Sequence, residues 1–207
     1  MIRCVPVRGY FEVNCYIWTD DQAGHGFLID PGAQGHALLG LCRAQGWVIE
    51  GILLTHGHFD HFGGIPEIRE EVDLPIYIHP AGEAYLTSPR LNLSYYCHCD
   101  MTLNGARYFR DGDRLSLKAC PGSSLRVLHT PGHTPDSVVL YNEKHGLAFV
   151  GDTIFRGSRG NDGYPGGDEG QLMQSIRERI LTLPDDTILY SGHSAPTTVR
   201  TDKPLYL

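Results

Sequence analysis

The chain has 207 residues, with 24 acidic side chains against 17 Lys and Arg and a formal charge of −7 when histidines are neutral. That balance argues against a broad nucleic-acid surface, which needs a basic stripe to neutralise phosphates. No apolar run approaches the ~20 residues that cross a bilayer, and Met1 to Val7 lacks the apolar stretch and cleavage pattern of an export signal, so a cytoplasmic protein without a membrane anchor is expected.

Taken in order, Val13 to Thr19 and Gly26 to Ile29 read as strands, and His36 to Gly46 places Leu38, Leu39, Leu41 and Cys42 on one side of an amphipathic helix. The apolar run Gly51-Ile52-Leu53-Leu54 reads as a buried strand. It ends in Thr55-His56-Gly57-His58-Phe59-Asp60-His61, after which Phe62-Gly63-Gly64-Ile65-Pro66 reads as the start of a helix. Residues two apart in an extended turn point the same way, so His56 and His58 can share one ion, while Asp60 and His61 over the next turn can serve a second. Imidazole and carboxylate are ligands that zinc, iron and manganese all accept. A patch this polar and desolvated would be costly without a partner.

Further along, the stretch from Thr87 to Arg107 carries Tyr95, Tyr96, Cys97 and His98 and is expected to rim a pocket or to be an ordinary surface excursion. The six cysteines, at positions 4, 15, 42, 97, 99 and 120, show no Cys-x-x-Cys pair and are expected to be free thiols; Cys97-His98-Cys99 alone is too small a ligand set for an independent metal site. Three later strands each end in a metal-competent residue: Val127-Leu128 leads to His133, Leu147 to Val150 leads to Asp152, and Ile188 to Tyr190 leads to His193. The two oxygens of Asp152 can bridge two cations. Leu172, Ile176 and Ile180 recur every fourth residue between Asp168, an N-cap, and Pro184, which predicts a helix with one buried face. His79 is expected to cap its strand, His25, His36 and His145 to be exposed turn residues, and His129 to orient a ligand from behind. With no repeat or long linker, residues 1–207 are expected to form one domain, built as strand pairs followed by helices in two approximate halves.

Thr-His-x-His-x-Asp-His, then Pro-Gly-His-Thr, Gly-Asp-Thr and Gly-His, in that order, resembles the metallo-β-lactamase superfamily, from the first strand to the last residues. Within it, Ile29-Asp30-Pro31-Gly32, Gly151-Asp152-Thr153-Ile154-Phe155-Arg156-Gly157-Ser158 and Leu183-Pro184-Asp185-Asp186-Thr187 are similar to the short glyoxalase II-like hydrolases. The resemblance implies an α/β fold with two sheets between outer helices, a four-layer αββα sandwich. It also implies two divalent ions per chain, zinc first, with His56, His58 and His133 at one, Asp60, His61 and His193 at the other, and Asp152 between them. Two departures bear on the substrate. Many relatives carry a basic residue near the place of Asn161, where the nearest cation here is Arg159, and Asn161 offers hydrogen bonds but no charge. A separate C-terminal helical domain that helps hold glutathione has no counterpart before Leu207, so local loops, Tyr164 among them, or a second copy in a homo-oligomer would complete the pocket.

Two adjacent cations lower the pKa of a bound water from 15.7 to about 7, and Asp60 can orient that nucleophile. A thiol, with a parent pKa near 8.5, leaves with little protonation, and no dedicated general acid is evident. The expected activity is hydrolysis of a small acyl thioester by metal-bound hydroxide, as in hydroxyacylglutathione hydrolase, which splits S-lactoylglutathione. The rivals are a persulfide dioxygenase with a single iron on His58, His133 and Asp152, and a lactone or β-lactam hydrolase on the dinuclear site.

Overall fold

A computed structural model describes residues 1–207. The first half lays down β1 (Ile2–Arg8), β2 (Glu12–Thr19), β3 (His25–Ile29), α1 (Gly35–Ala44), β4 (Val48–Leu53), α2 (Phe59–Phe62), α3 (Ile65–Glu71), β5 (Ile76–Ile78), α4 (Glu83–Thr87) and β6 (Arg107–Tyr108). Its six strands form one sheet in sequential order, antiparallel from β1 to β3 and parallel from β3 to β6. The second half adds β7 (Arg114–Ser116), β8 (Ser124–His129), β9 (Val138–Asn142), β10 (Leu147–Gly151), the small hairpin β11 (Ile154–Phe155) and β12 (Ser158–Arg159), α5 (Glu169–Ser175), β13 (Ile188–Ser191), β14 (Thr197–Thr198) and α6 (Val199–Asp202). The second sheet runs β14-β13-β10-β9-β8-β7, with β10 and β13 as its one parallel pair.

The period-two alternation of each strand sorts side chains into three apolar layers. Tyr16, Trp18, Phe27, Ile29 and Leu53 meet Leu125, Val127, Val138, Leu140, Leu147 and Phe149 between the sheets. The opposite faces, Cys15, Ile17, Leu28, Ile52 and Leu54, pack under Leu38, Leu39, Phe62, Ile65 and Ile68 of the first helices. Leu128, Val139, Ala148, Val150 and Leu189 pack under Leu172, Ile176 and Ile180. Three buried layers between four layers of backbone are the αββα sandwich.

Several local expectations are refined. Asp168 caps α5 by accepting from the Gln171 amide at 2.8 Å, but the helix does not continue as a regular α-helix: Ile176–Ile180 is a π-turn, with the Leu181 amide bonded to the Ile176 carbonyl at 2.9 Å. The helix anticipated from Phe62 is two pieces, and the first of them already holds Asp60 and His61. His25 is no turn residue. It opens β3, half-buried against the Glu50 carboxylate at 2.8 Å. All six cysteines are unpaired, and no helix is long and apolar enough to cross a membrane.

Candidate metal centre

All seven expected ligands sit beyond the carboxyl ends of central strands, where an open sheet leaves a crevice between its outgoing loops. His56 and His58 follow β4, Asp60 and His61 lie in α2, His133 follows β8, Asp152 follows β10 and His193 follows β13. Glycines let these loops close in: a Cβ on Gly192 would lie 2.4 Å from Asp152 Oδ1 and 2.7 Å from His61 Cε1, and one on Gly160 would lie 1.8 Å from the Asp152 carbonyl.

Two groups of donors result. His58 Nδ1 is 3.0 Å from His56 Nε2 and 3.1 Å from His133 Nε2. Asp60, His61 and His193 form the second group, with His193 Nε2 3.3 Å from Asp60 Oδ2. Asp152 stands between them: Oδ1 is 3.5 Å from His61 Nε2, while Oδ2 is 3.4 Å from His193 Nε2 and 3.8 Å from His133 Nε2. Ligand atoms around a tetrahedral zinc with bonds of roughly 2.0–2.1 Å lie about 3.3 Å apart, close to the spacing within the first triad. Burial also fits a cation. His61 Nε2 and Asp152 Oδ1 are buried with no hydrogen bond in good geometry, a cost of about 1–3 kcal/mol each that an ion between them removes.

For His133 and His193, partners on the far side of the ring set which nitrogen faces inward. His133 Nδ1 donates to the Asn161 carbonyl at 2.7 Å and His193 Nδ1 to the Glu12 carbonyl at 2.8 Å, which leaves both Nε2 lone pairs turned to the centre. Asp30 serves His61, with Oδ2 3.0 Å from its Nδ1. Asp30 holds a left-handed backbone, φ 50°, while its carboxylate accepts from the Thr55 amide at 2.8 Å and the Thr55 hydroxyl at 2.6 Å. Strain of this kind persists where the surroundings over-determine the conformation.

Electrostatics divides the two groups. Burial, then the neighbouring rings, pushes His56 well below its usual range and His58 down to about 3; burial also lowers His133. These three rings are neutral at neutral pH, the form that can bind a metal. Burial would lower His61 and His193 too, but Asp152 and Asp30 around His61, and Asp60 and Asp152 around His193, outweigh it and raise both. Burial would raise Asp152 and Asp60, yet His61 and His193 hold both carboxylates low and ionised.

A cavity of about 350 Å³ opens over these donors, lined by His58, Asp60, His133, Asp152 and His193 together with Phe11, Glu12, Leu93, Phe155, Asn161 and Tyr164. Of the expected substrate contacts, Tyr164 lies with its ring 5.8 Å from that of His58 and Asn161 is on the wall, its side-chain oxygen accepting from Gly163 at 2.9 Å. Arg159 is not on the wall. Its guanidinium is spent on Asp162 and on Glu169 at 2.8 Å. From the stretch Thr87 to Arg107 only Leu93 lines the cavity, and Tyr95, Tyr96, Cys97 and His98 do not. No converging ligand group includes Cys97, His98 or Cys99. His129 reaches no ligand ring; it bonds the Pro135 carbonyl at 2.8 Å and stacks on His79, centroids 4.1 Å apart. Phe11 and Leu93 escaped the sequence reading because isolated apolar residues on separate loops carry no spacing signal, and Phe155 because the two-residue strand β11 is too short to show a period.

The metallo-beta-lactamase superfamily model matches residues 8–193. The chain is 37% identical over 203 residues to a probable metallo-hydrolase of Bacillus subtilis (strain 168), covering 97% of this chain and 93% of that one. It is 31% identical over 209 residues to a hydroxyacylglutathione hydrolase of Haemophilus influenzae, covering 98% and 94%. The crystal structure of a B3 metallo-beta-lactamase superposes with a TM-score of 0.90 at 32% identity, over 99% of this chain and 97% of that one. The chain belongs to the metallo-beta-lactamase superfamily.

Proposed function

We propose that this protein is a dinuclear metal-dependent hydrolase of acyl thioesters. The observation that carries this reading is the convergence of seven donors into two triads joined by Asp152 on the floor of a 350 Å³ cavity. The likeness to a hydroxyacylglutathione hydrolase supports the thioester. Zinc is the first expectation for both positions, with iron and manganese compatible with the same donors. When bound, such ions supply Lewis acidity, which polarises a carbonyl and makes a water nucleophilic near neutral pH.

The chain's own residues do the rest. Asp60, kept ionised by His61 and His193, offers a carboxylate oxygen that accepts a proton from the attacking water. His133 and His193 are fixed by the Asn161 and Glu12 carbonyls, so their inward lone pairs need no reorganisation during turnover. Tyr164 and Phe155 line the cavity beside the donors and give it an apolar side. A thiolate departs with little protonation, so the step does not depend on an acid from the wall, where Glu12 and the Tyr164 phenol are the titratable groups besides the candidate metal donors.

Thiol release from metal-loaded protein, with Asp152→Ala as control, tests the reading. The wild type should release thiol from a thioester, and the variant should lose turnover and bound metal together; full activity with two metals in the variant would refute the bridging role. A β-lactam substrate is the second reading, favoured by the 32% identity to a B3 metallo-beta-lactamase. Opening of a chromogenic β-lactam faster than any thioester would put it first. A single iron per chain with oxygen uptake on a persulfide would instead favour the dioxygenase.

A further inference from the structure

The cavity wall narrows the substrate class, an inference that rests on the hydrolase reading. No Lys or Arg lines the cavity; its carboxylates are Glu12, Asp60 and Asp152, and its other titratable groups are the imidazoles of His58, His133 and His193 and the Tyr164 phenol. The arginines next to it in the chain are spoken for or turned away. Arg8 is bonded to the Glu12 carboxylate at 2.7 Å, Arg159 to Asp162 and Glu169, and Arg156 is exposed outside the lining. No lysine or arginine on the wall therefore offsets the desolvation of a substrate carboxylate.

Around the donors the wall is mostly apolar, Phe11, Leu93, Phe155 and Tyr164 standing beside the polar Glu12 and Asn161, and it is uneven. Near the first triad stand Asn161 and Tyr164, the latter with its ring 6.2 Å from that of His133. Near the second stand Phe155, 6.1 Å from the His193 ring, and Phe11, braced edge-on against Phe59 at 6.0 Å. Phe11 is nevertheless 52% exposed and Tyr164 41%, so aromatic surface at the mouth faces water until something covers it. A volume near 350 Å³ is at the small end of ligand pockets, and a tripeptide thiol with two carboxylates would have to leave its charged ends outside it.

We propose that the substrate is a small thioester, uncharged on both sides of the reacting carbonyl, with a hydrocarbon group lying against Phe11, Leu93 and Phe155, and that thioesters of anionic thiols are poor substrates.

The test compares S-hexanoyl-N-acetylcysteamine with S-hexanoylglutathione, which share an acyl group, on the metal-loaded wild type. It also compares binding of the uncleavable thioethers S-hexyl-N-acetylcysteamine and S-hexylglutathione by calorimetry. The neutral member should win both comparisons, by at least ~10-fold in kcat/KM and in Kd. Phe11→Arg should shift both ratios towards glutathione, and Phe155→Ala should lower turnover of S-hexanoyl-N-acetylcysteamine more than that of S-acetyl-N-acetylcysteamine. Equal or better use and binding of the glutathione compounds would overturn the proposal, as would a ratio that Phe11→Arg leaves unmoved. If neither ester releases thiol above Asp152→Ala, the hydrolase reading fails, and the binding ratio still decides the chemistry of the wall.

Discussion

Asp136 is fully buried between the backbones of Gly57 and Gly82, so closely that a Cβ on Gly82 would lie 2.6 Å from its Oδ2. Neither carboxyl oxygen has a hydrogen bond in good geometry, and burial pushes the group up to about 7, against a weaker pull from the Thr134 side chain and the Asp136 and Gly57 amides. Its folded pKa lies above its ordinary 3.8, so the folded state binds more protons between the two values and the contribution of this group to stability declines as pH rises from 3.8 to about 7. Asp136→Asn should remove that decline: in urea unfolding of the metal-free protein, the stability difference between variant and wild type should move in favour of the variant by a few kcal/mol, up to about 4, from pH 4 to pH 8. A pH-independent difference would refute the account. The ligands give a second pH prediction. His61 and His193 are raised while His56, His58 and His133 are lowered, so protons compete sooner for the Asp60, His61, His193 group. On acidification, metal analysis should show that ion leaving at a higher pH than its neighbour; simultaneous loss would contradict this. The seven candidate donors stood out in the sequence because four are packed together after one apolar run and each of the other three follows a run of its own. The work of Asp30 could not be read there, since its contact with His61 joins the end of β3 to α2, which only the fold brings together.

At the scale of elements, α5 and the π-turn after it close the second sheet. Leu172, Ile176 and Ile180 are all fully buried, and their four-residue spacing was enough to predict a buried helical face. The wider turn was not predictable, because the same apolar spacing suits either ladder and only the packed backbone selects one. Ile176→Ala should cost about 2–5 kcal/mol in denaturant unfolding while the donors stay in place. A loss under 1 kcal/mol would mean that the helix is lightly held. Gly192→Ala makes the opposite prediction. A methyl there collides with Asp152 and His61 rather than with the core, so metal content and turnover should fall far more than melting temperature. Strand identities were readable for β2, β3 and β4, where apolar residues run together. The one-turn helix α2 was hidden, because Phe59 to Phe62 is too short for a period to show.

At the scale of the molecule, His56, His58, Asp60 and His61 come from the first half and His133, Asp152 and His193 from the second, and the seam beside them is sewn by further bonds. The Asn14 amide donates to the Gly192 carbonyl at 2.7 Å, the Asn14 side chain to the Ser191 and Ser194 carbonyls at 3.0 and 2.9 Å, and the Tyr16 hydroxyl to the Ser191 carbonyl at 2.7 Å. Ions shared by both halves bind only the assembled state, so chelation should lower the melting temperature, and the shift should grow with free metal as mass action requires. An unchanged melting temperature would show that the ligands do not couple the halves. Four-layer architecture was legible only through the family resemblance, since an alternating strand and helix pattern serves a doubly wound sheet equally well. The Asn14 bond also makes the seam a reporter. Its proton leaves for solvent only when β2 parts from the loop carrying His193, so the exchange rate of this one backbone amide tells whether the hasp between the two sheets is shut, with no substrate in the tube.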